Sequence, residues 1–404
     1  MFLLSIELLI VVNVIKSLPH LLNLLFSLLS VANKGSLTIL TLLNMVAGAP
    51  VNIVSFSQCY AIASSLTPLT GGGLPTQILQ AGYRNGDIAF HLFKRIWLVS
   101  AGVGVVFLGT FFLFPQFPWI ILLSFSIVAS DCAINLLRSQ RRTALASFSI
   151  IARLTIGVLL AFVCGIFFGV DSFLVTFSGF SLFAAVALCI VCHFFWKSVK
   201  NAGAPQNSFS PRALAIAVML GLNLLNANFD RIVIISRIAI EDSLIYTETR
   251  NILSSFLFVF ASYGVYNLDK IMSRETSIRL IQGRILYISA ALVPVCLAWS
   301  IFYAWSSNQP FLKSIVAAFI SWTLISLIGS ASLASSWLMA YINDKRLLII
   351  PLMLLVAQGA GFISLELSGK LEVYFLVMFL CFVLFFSFLI PITERTLKWR
   401  SSSR

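Results

Sequence analysis

Residues 117–142 read Phe117-Pro-Trp-Ile-Ile-Leu-Leu-Ser-Phe-Ser-Ile-Val-Ala-Ser-Asp131-Cys-Ala-Ile-Asn-Leu-Leu-Arg138-Ser-Gln-Arg-Arg142. Between Phe117 and Leu137 the only charged residue is Asp131, and the run then stops on Arg138, Arg141 and Arg142. A helix of about 20 apolar residues crosses a bilayer, and basic residues collect at its cytoplasmic end. The stretch therefore reads as a membrane span entering from the outer side at Phe117. The remainder of the chain has the same character: 59% of its 404 residues are hydrophobic and 10% are charged, with a mean hydropathy of +1.00. A soluble domain carries about a quarter of its residues as charges, so a water-exposed globule with a single anchor is excluded.

Outward from this stretch, apolar runs recur at 11–32, 37–66, 94–114, 117–137, 144–168, 173–195, 212–235, 243–266, 284–305, 312–339, 347–366 and 372–392. They predict an all-α polytopic membrane protein with about twelve transmembrane helices. Pro19 either kinks a long first helix or separates an interfacial segment from a shorter span. The Pro-, Ser- and Asn-containing stretch Asn201–Pro211 divides the chain. This gives an N-terminal six-helix bundle over 1–200, a cytoplasmic linker over 201–211, a C-terminal six-helix bundle over 212–392 and a basic cytoplasmic tail over 393–404. The turn Ser139-Gln-Arg-Arg142 has a counterpart in Asp344-Lys-Arg346, and an even number of spans per half preserves orientation. The halves are thus expected to be parallel repeats.

The net charge is +13, from 27 Lys and Arg against 14 Asp and Glu. In a soluble protein it would suggest nucleic acid; here its distribution is topological. Arg84, Lys94 and Arg95, Arg138 to Arg142, Lys197 and Lys200, Lys270 to Arg284, Lys345 and Arg346, and Arg395 to Arg404 fall on one side of the alternating spans. Both termini are therefore expected to be cytoplasmic, with the basic surface attracted to anionic membrane lipids. Met1 to Ile15 has neither a basic start nor a small-residue cleavage site, so no removable signal peptide is expected.

No catalytic constellation stands out, and no cofactor or metal is expected. The three His, at 20, 91 and 193, lack metal-ligand spacing to one another or to a carboxylate. Gly71-Gly-Gly73 runs into Leu and Pro rather than Gly-Lys-Ser/Thr, so it is a connection and not a phosphate loop. Cys189-Ile-Val-Cys192-His193 matches a haem-attachment pattern, but it lies inside an apolar run and reads as chance. The seven Cys read as buried small hydrophobes.

Charged groups inside spans are the functional pointers, because each is costly in the bilayer unless paired or hydrated. Asp131 and Arg153 lie at equal distance from the Arg142 turn, about 16 Å along their helices. They are candidates for a static ion pair or for a gating or substrate-contacting pair. In the seventh span Asn223, Asn226, Asp230 and Arg237 fall within about 60° at helical spacing. Asp230 and Arg231 are adjacent and need separate partners. In the eighth span Arg250, Asn251 and Ser254 share a face, with Glu248 turned away. These stripes line either a hydrated cavity between the halves or a set of interhelical hydrogen bonds. The connections Gln77–Phe93 and Asp269–Gly283 mix apolar with charged residues, as helices lying on the inner membrane surface do.

The stretch Asn223-Leu-Leu-Asn-Ala-Asn-Phe-Asp-Arg-Ile232, followed by an acidic loop, Tyr246 and Arg250, resembles the start of the second half of Wzx-type polysaccharide flippases. These form a branch of the multidrug, oligosaccharidyl-lipid and polysaccharide exporter superfamily, and Asn228-Phe-Asp230-Arg231 is the sharpest match. The resemblance implies two six-helix bundles around a cavity with alternating access. It also implies a lipid-linked oligosaccharide on undecaprenyl pyrophosphate, moved to the outer face of a bacterial inner membrane for O-antigen or another surface polysaccharide. A coupling ion (proton or sodium) and contact with a polysaccharide polymerase are further implied partners. On this reading Arg153, Arg231, Arg237 and Arg250 meet the pyrophosphate, Asn223, Asn226 and Asn251 meet sugar, Asp230 belongs to the same substrate-binding set, and the chain is no enzyme. A multidrug cation antiporter would need an acidic cavity. A membrane-embedded polymerase would more often carry a large polar outer loop.

Overall fold

The computed structural model describes residues 36–47, 52–71, 73–82, 86–111, 117–139, 156–168, 172–197, 211–257, 260, 278–307, 309–341 and 348–402. Among them the secondary structure is helical, with no strand. The helices are α1 (Ser36–Val46), α2 (Ile53–Gly71), α3 (Leu74–Gly82), α4 (Gly86–Lys94), α5 (Ile96–Phe111), α6 (Phe117–Ser139) and α7 (Gly157–Phe168). They continue with α8 (Ser172–Lys197), α9 (Pro211–Phe229), α10 (Ile240–Ser254), α11 (Ile278–Ser306), α12 (Phe311–Tyr341), α13 (Ile349–Ser368) and α14 (Leu371–Ser402). A π-helical turn, Asp230–Ile234, extends α9. Six helical stretches among the described residues are long and apolar enough to cross a membrane. The first expected span, 11–32, lies outside the described residues, as do the linker 201–210 and most of 269–283.

Two helices organise the packing. In α6, 78% of the membrane-length window is buried, and in α12 61%, against 17% to 33% in the other four candidate spans. Small side chains make this close approach possible. The buried residues of α6 include Ser124, Ser126, Ala129, Ser130, Cys132 and Ala133, and those of α12 include Ala317, Ala318, Ser321, Ser326, Ala331 and Ala334. Hydroxyls bond back into their own helices, as Ser126 does to the Leu123 carbonyl at 2.8 Å and Thr323 to that of Phe319 at 2.9 Å. α2, α3, α5 and α8 surround α6, while α9, α10, α11, α13 and α14 surround α12. Large apolar side chains such as Leu98, Leu108, Phe167, Val356 and Leu367 face outward, where lipid is the solvent.

Two expected features differ. The run 37–66 is not one helix: α1 ends at Val46 and α2 begins at Ile53. The intervening sequence holds Gly48 and Pro50, and proline supplies no N–H for the ladder. Asn52 caps the restart, its Oδ1 accepting from the Ser55 N–H at 3.1 Å. The connection 77–93 is also more than a surface segment. Leu74, Ile78, Ala89, Phe90 and Phe93 are buried in one cluster with Val128, Ala133 and Cys189, so α3 and α4 dock against α6. In that cluster the Cys189 and Cys192 thiols point at the carbonyls of Ala129 and Ala133, at 3.5 and 3.9 Å, which fits them to α6.

At α13, Gly361 lets a neighbour come close: a Cβ there would meet the Tyr374 ring and the Met378 sulfur at 2.8 Å. Gly359, two residues away, faces open space. Gly361→Val is expected to destabilise the protein by about 1–3 kcal/mol through overpacking. Gly359→Ala should leave stability unchanged or slightly raised, and thermal unfolding in detergent micelles separates the two.

Candidate functional site

The buried charges gather where the α9 hairpin turns into α10. Because the π turn holds one extra residue in its loop, with the Ile235 N–H reaching the Asp230 carbonyl at 3.3 Å, neighbouring side chains swing away from their regular helical phase. Asp230 and Arg231 are both buried but serve different neighbours. Asp230 Oδ2 accepts from Arg250 Nε at 2.8 Å and from the Tyr246 hydroxyl at 2.7 Å. Both side chains of the Asp230–Arg250 pair have zero exposure, and Arg250 heads the largest fully buried side chains. Its Nη2 also donates to the Ala227 carbonyl at 3.3 Å.

Arg231 has neutral partners. Its Nη1 donates to Asn228 Oδ1 at 3.4 Å and its Nη2 to the Ser254 hydroxyl at 3.2 Å. Among the described residues no carboxylate lies within ion-pair distance of it, and its Nε has no hydrogen-bond partner. Asp230 Oδ1, Arg250 Nη1 and the Tyr374 hydroxyl are likewise buried without partners.

The remaining stripe residues disperse. Asn226 does not face the same neighbours as Asp230: its Nδ2 donates to the Pro351 carbonyl at 2.8 Å, and Gln358 Nε2 donates to the Asn226 carbonyl at 2.8 Å. Asn223 is half-buried, with Oδ1 unpartnered among the described residues. Arg237 lies beyond the π turn, where the regular phase no longer holds, and pairs with Glu366 at 3.2 Å on the exposed surface. The single seventh-span stripe is thus broken by the π turn. On α10, Asn251 faces α1 and α2, while Glu248 accepts from the Tyr303 hydroxyl on α11. Asp131 is half-buried on α6, and Arg153 lies outside the described residues, so that pairing is not described.

Sequence reasoning gave Tyr246 no role beyond the resemblance and missed Tyr374 and Gln358. It also missed the Asp230–Arg250 pair, although the signal existed. The two are 20 positions apart with Ile240, the first residue of α10, at the midpoint. Equal depth on a hairpin, the argument applied to Asp131 and Arg153, points to them as well.

No protein-family model and no curated protein matches the sequence. Solved structures do. A multidrug resistance MATE family transporter of the MOP superfamily, in an outward-facing conformation, superposes with a TM-score of 0.63 at 14% identity, over 95% of this chain and 97% of its own. The chain has the MATE transporter fold. A MATE protein in complex with MaD5 gives 0.60 at 16% identity, over 93% of this chain and 96% of its own. A MOP superfamily transporter from Pyrococcus furiosus, described as having a binding pocket of reversed polarity that suggests a different function, gives 0.60 at 14%, over 93% and 95%. With this fold and its candidate spans, the chain is a multi-span helical membrane protein.

Removing one member of a buried ion pair strands the other's charge, which costs about 3–5 kcal/mol. Arg250→Met and Asp230→Leu are each expected to lower stability by about that amount. The double substitution should lose clearly less than the sum, because no charge is left unmatched. Unfolding midpoints of the four proteins in detergent complete the cycle.

Proposed function

We propose that the protein is a flippase, a transporter and not an enzyme, that carries an anionic lipid-linked oligosaccharide across a bacterial inner membrane. The reading draws on twelve spans arranged as two six-helix bundles, 1–200 and 212–392, with cytoplasmic termini, a linker over 201–211 and a basic tail over 393–404. The observation that carries it is Arg231. This guanidinium is buried, held only by neutral oxygens, and has an unpartnered Nε where α9 meets α2. Asp230 is shared with Arg250 and does not touch Arg231, so two guanidiniums face one carboxylate in an apolar medium and call for a further anion, and guanidinium binds phosphate oxygens in a bidentate fork. The pyrophosphate of an undecaprenyl-linked oligosaccharide supplies that anion.

The four arginines of the sequence reading now separate. Arg250 is already neutralised by Asp230, and Arg237 is matched by Glu366 at the surface. Arg231 is left as the head-group contact among the described residues, with Arg153 a further candidate. Asn223 lies on α9, with its Oδ1 unpartnered among the described residues, and provides an amide for a sugar hydroxyl. A proton or sodium gradient is the proposed drive, and a polysaccharide polymerase the proposed neighbour, for O-antigen or a related surface polymer.

A multidrug antiporter is the second reading, and the MATE fold is common to both. A cation carrier needs acidic groups free in its pocket. Asp230 is engaged by Arg250, which favours the anionic cargo, whereas Glu248, buried against the Tyr303 hydroxyl with no cation within ion-pair distance among the described residues, is the acid the second reading would use.

Deleting the gene is expected to abolish the surface polysaccharide and to leave its lipid-linked unit on the cytoplasmic side of the membrane. Unchanged polysaccharide with raised drug sensitivity would support the antiporter instead. In complementation, Arg231→Gln should reduce surface polymer roughly tenfold or more, the scale of a lost charge-assisted hydrogen bond. Arg237→Gln should retain most of the activity.

A further inference from the structure

Asn251 sits on α10 and is fully buried. Its polar groups reach into the first part of the chain. Ser57 Oγ donates to its Oδ1 at 3.2 Å, its Nδ2 donates to Thr41 Oγ1 at 3.3 Å, and Thr38 Oγ1 donates to its backbone carbonyl at 2.9 Å. Asn228 on α9 does the same at a second point, its Nδ2 donating to Ser64 Oγ at 2.9 Å. Across the boundary between the halves, then, α1 and α2 meet α9 and α10 through hydroxyls and amides.

The ion pairs among the described residues follow a different rule. Asp230–Arg250, Arg237–Glu366 and Lys313–Asp242 each join two residues of the second half. Among the described residues the ion pairs, buried at Asp230–Arg250 and exposed at the other two, stay within one half, and neutral hydrogen bonds join the two halves. Interhelical hydrogen bonds of this neutral kind in a membrane are weak, roughly threefold in an equilibrium constant each. Three of them acting on one residue, two through its side chain and one through its backbone carbonyl, are strong enough to bias a two-state equilibrium and weak enough to be broken and remade.

We propose that Asn251 is a latch between the halves: its contacts with Thr38, Thr41 and Ser57 hold the α1–α10 end of the boundary shut, and their release opens that end during transport. By the charge distribution the start of α10 at Ile240 is the outer end, and Asn251 lies about 16 Å along the helix from it, so the latch closes the boundary beneath the outer mouth. Asn251 serves as a latch because its amide presents a donor and an acceptor in one plane, so a single side chain engages both α1 and α2. The inference rests on the alternating-access reading and is independent of what is carried.

The test places spin labels at Phe117 and Ile240, which are exposed at the starts of α6 and α10, and measures their separation in lipid vesicles without cargo. Asn251→Leu keeps the size and removes the amide. It is expected to move the ratio of long to short separations toward the long, open state by roughly tenfold. Thr41→Val removes one partner from the other half with little change in shape, and should move the ratio in the same direction by about threefold. If Asn251→Leu fails to fold, Thr41→Val decides alone. A distribution unchanged or shifted toward the short separation overturns the latch. Because no cargo is present, that outcome leaves the flippase reading standing, just as normal polysaccharide in the deletion strain would leave the latch standing.

Discussion

A charge enclosed by apolar side chains in a bilayer has to be matched where it sits, because neither water nor salt can screen it. The Asp230–Arg250 pair meets this constraint, and much of the second half is built around doing so. Arg250 extends across the gap between α10 and the end of α9, and its guanidinium is aligned by the Ala227 carbonyl as well as by the carboxylate. Tyr246 takes the same carboxylate oxygen from one helical turn away on α10. The hairpin formed by α9, the π turn and α10 is thereby a single rigid piece, and α12 packs along it.

The same constraint acts at the π turn. Asp230 and Arg231 are neighbours in the chain and both are buried, so two differently charged surroundings are needed side by side. Each has its own: Arg250 and Tyr246 for the acid, Asn228 and Ser254 for the base. The outcome is asymmetric. At this turn one carboxylate faces two guanidiniums, with Arg250 in direct contact and Arg231 not, so the local charge is positive.

Much of the membrane architecture was legible as windows of apolar residues, because a helix in lipid must be apolar over a length set by the bilayer. The second window misled, since Gly48 and Pro50 interrupt a run whose hydropathy does not change. The site was legible in its composition and not in its pairing. Asp230, Arg231, Arg250 and Asn251 stand out as charges and amides in apolar context, yet the register that brings them together depends on a π turn, to which helical periodicity is blind. Tyr374 and Gln358 lie on α14 and α13, more than a hundred positions along the chain from Asp230, and no local spacing connects them. Nor does sequence reveal that Gly361 is what admits the Tyr374 ring beside α13.

Fold cannot decide what is carried, because a scaffold of this kind hosts pockets of opposite sign: one structural neighbour is a multidrug transporter and another is described by its reversed pocket polarity. The sign of the charge that stays unmatched is the better guide. In this chain an acid that could have received a cation is occupied by an arginine of its own hairpin, fixed in place by covalent proximity and removed from exchange with any cargo. A mobile cation would have to displace that guanidinium and strand it in the bilayer interior, at a cost of several kcal/mol. An anion approaching Arg231 displaces only an amide oxygen and a hydroxyl oxygen, both neutral acceptors, while the donor bonds of Asn228 Nδ2 to the Ser64 hydroxyl and the Leu224 carbonyl, and of the Ser254 hydroxyl to the Asn251 carbonyl, stay in place. The energetic asymmetry between those two exchanges favours a negatively charged head group.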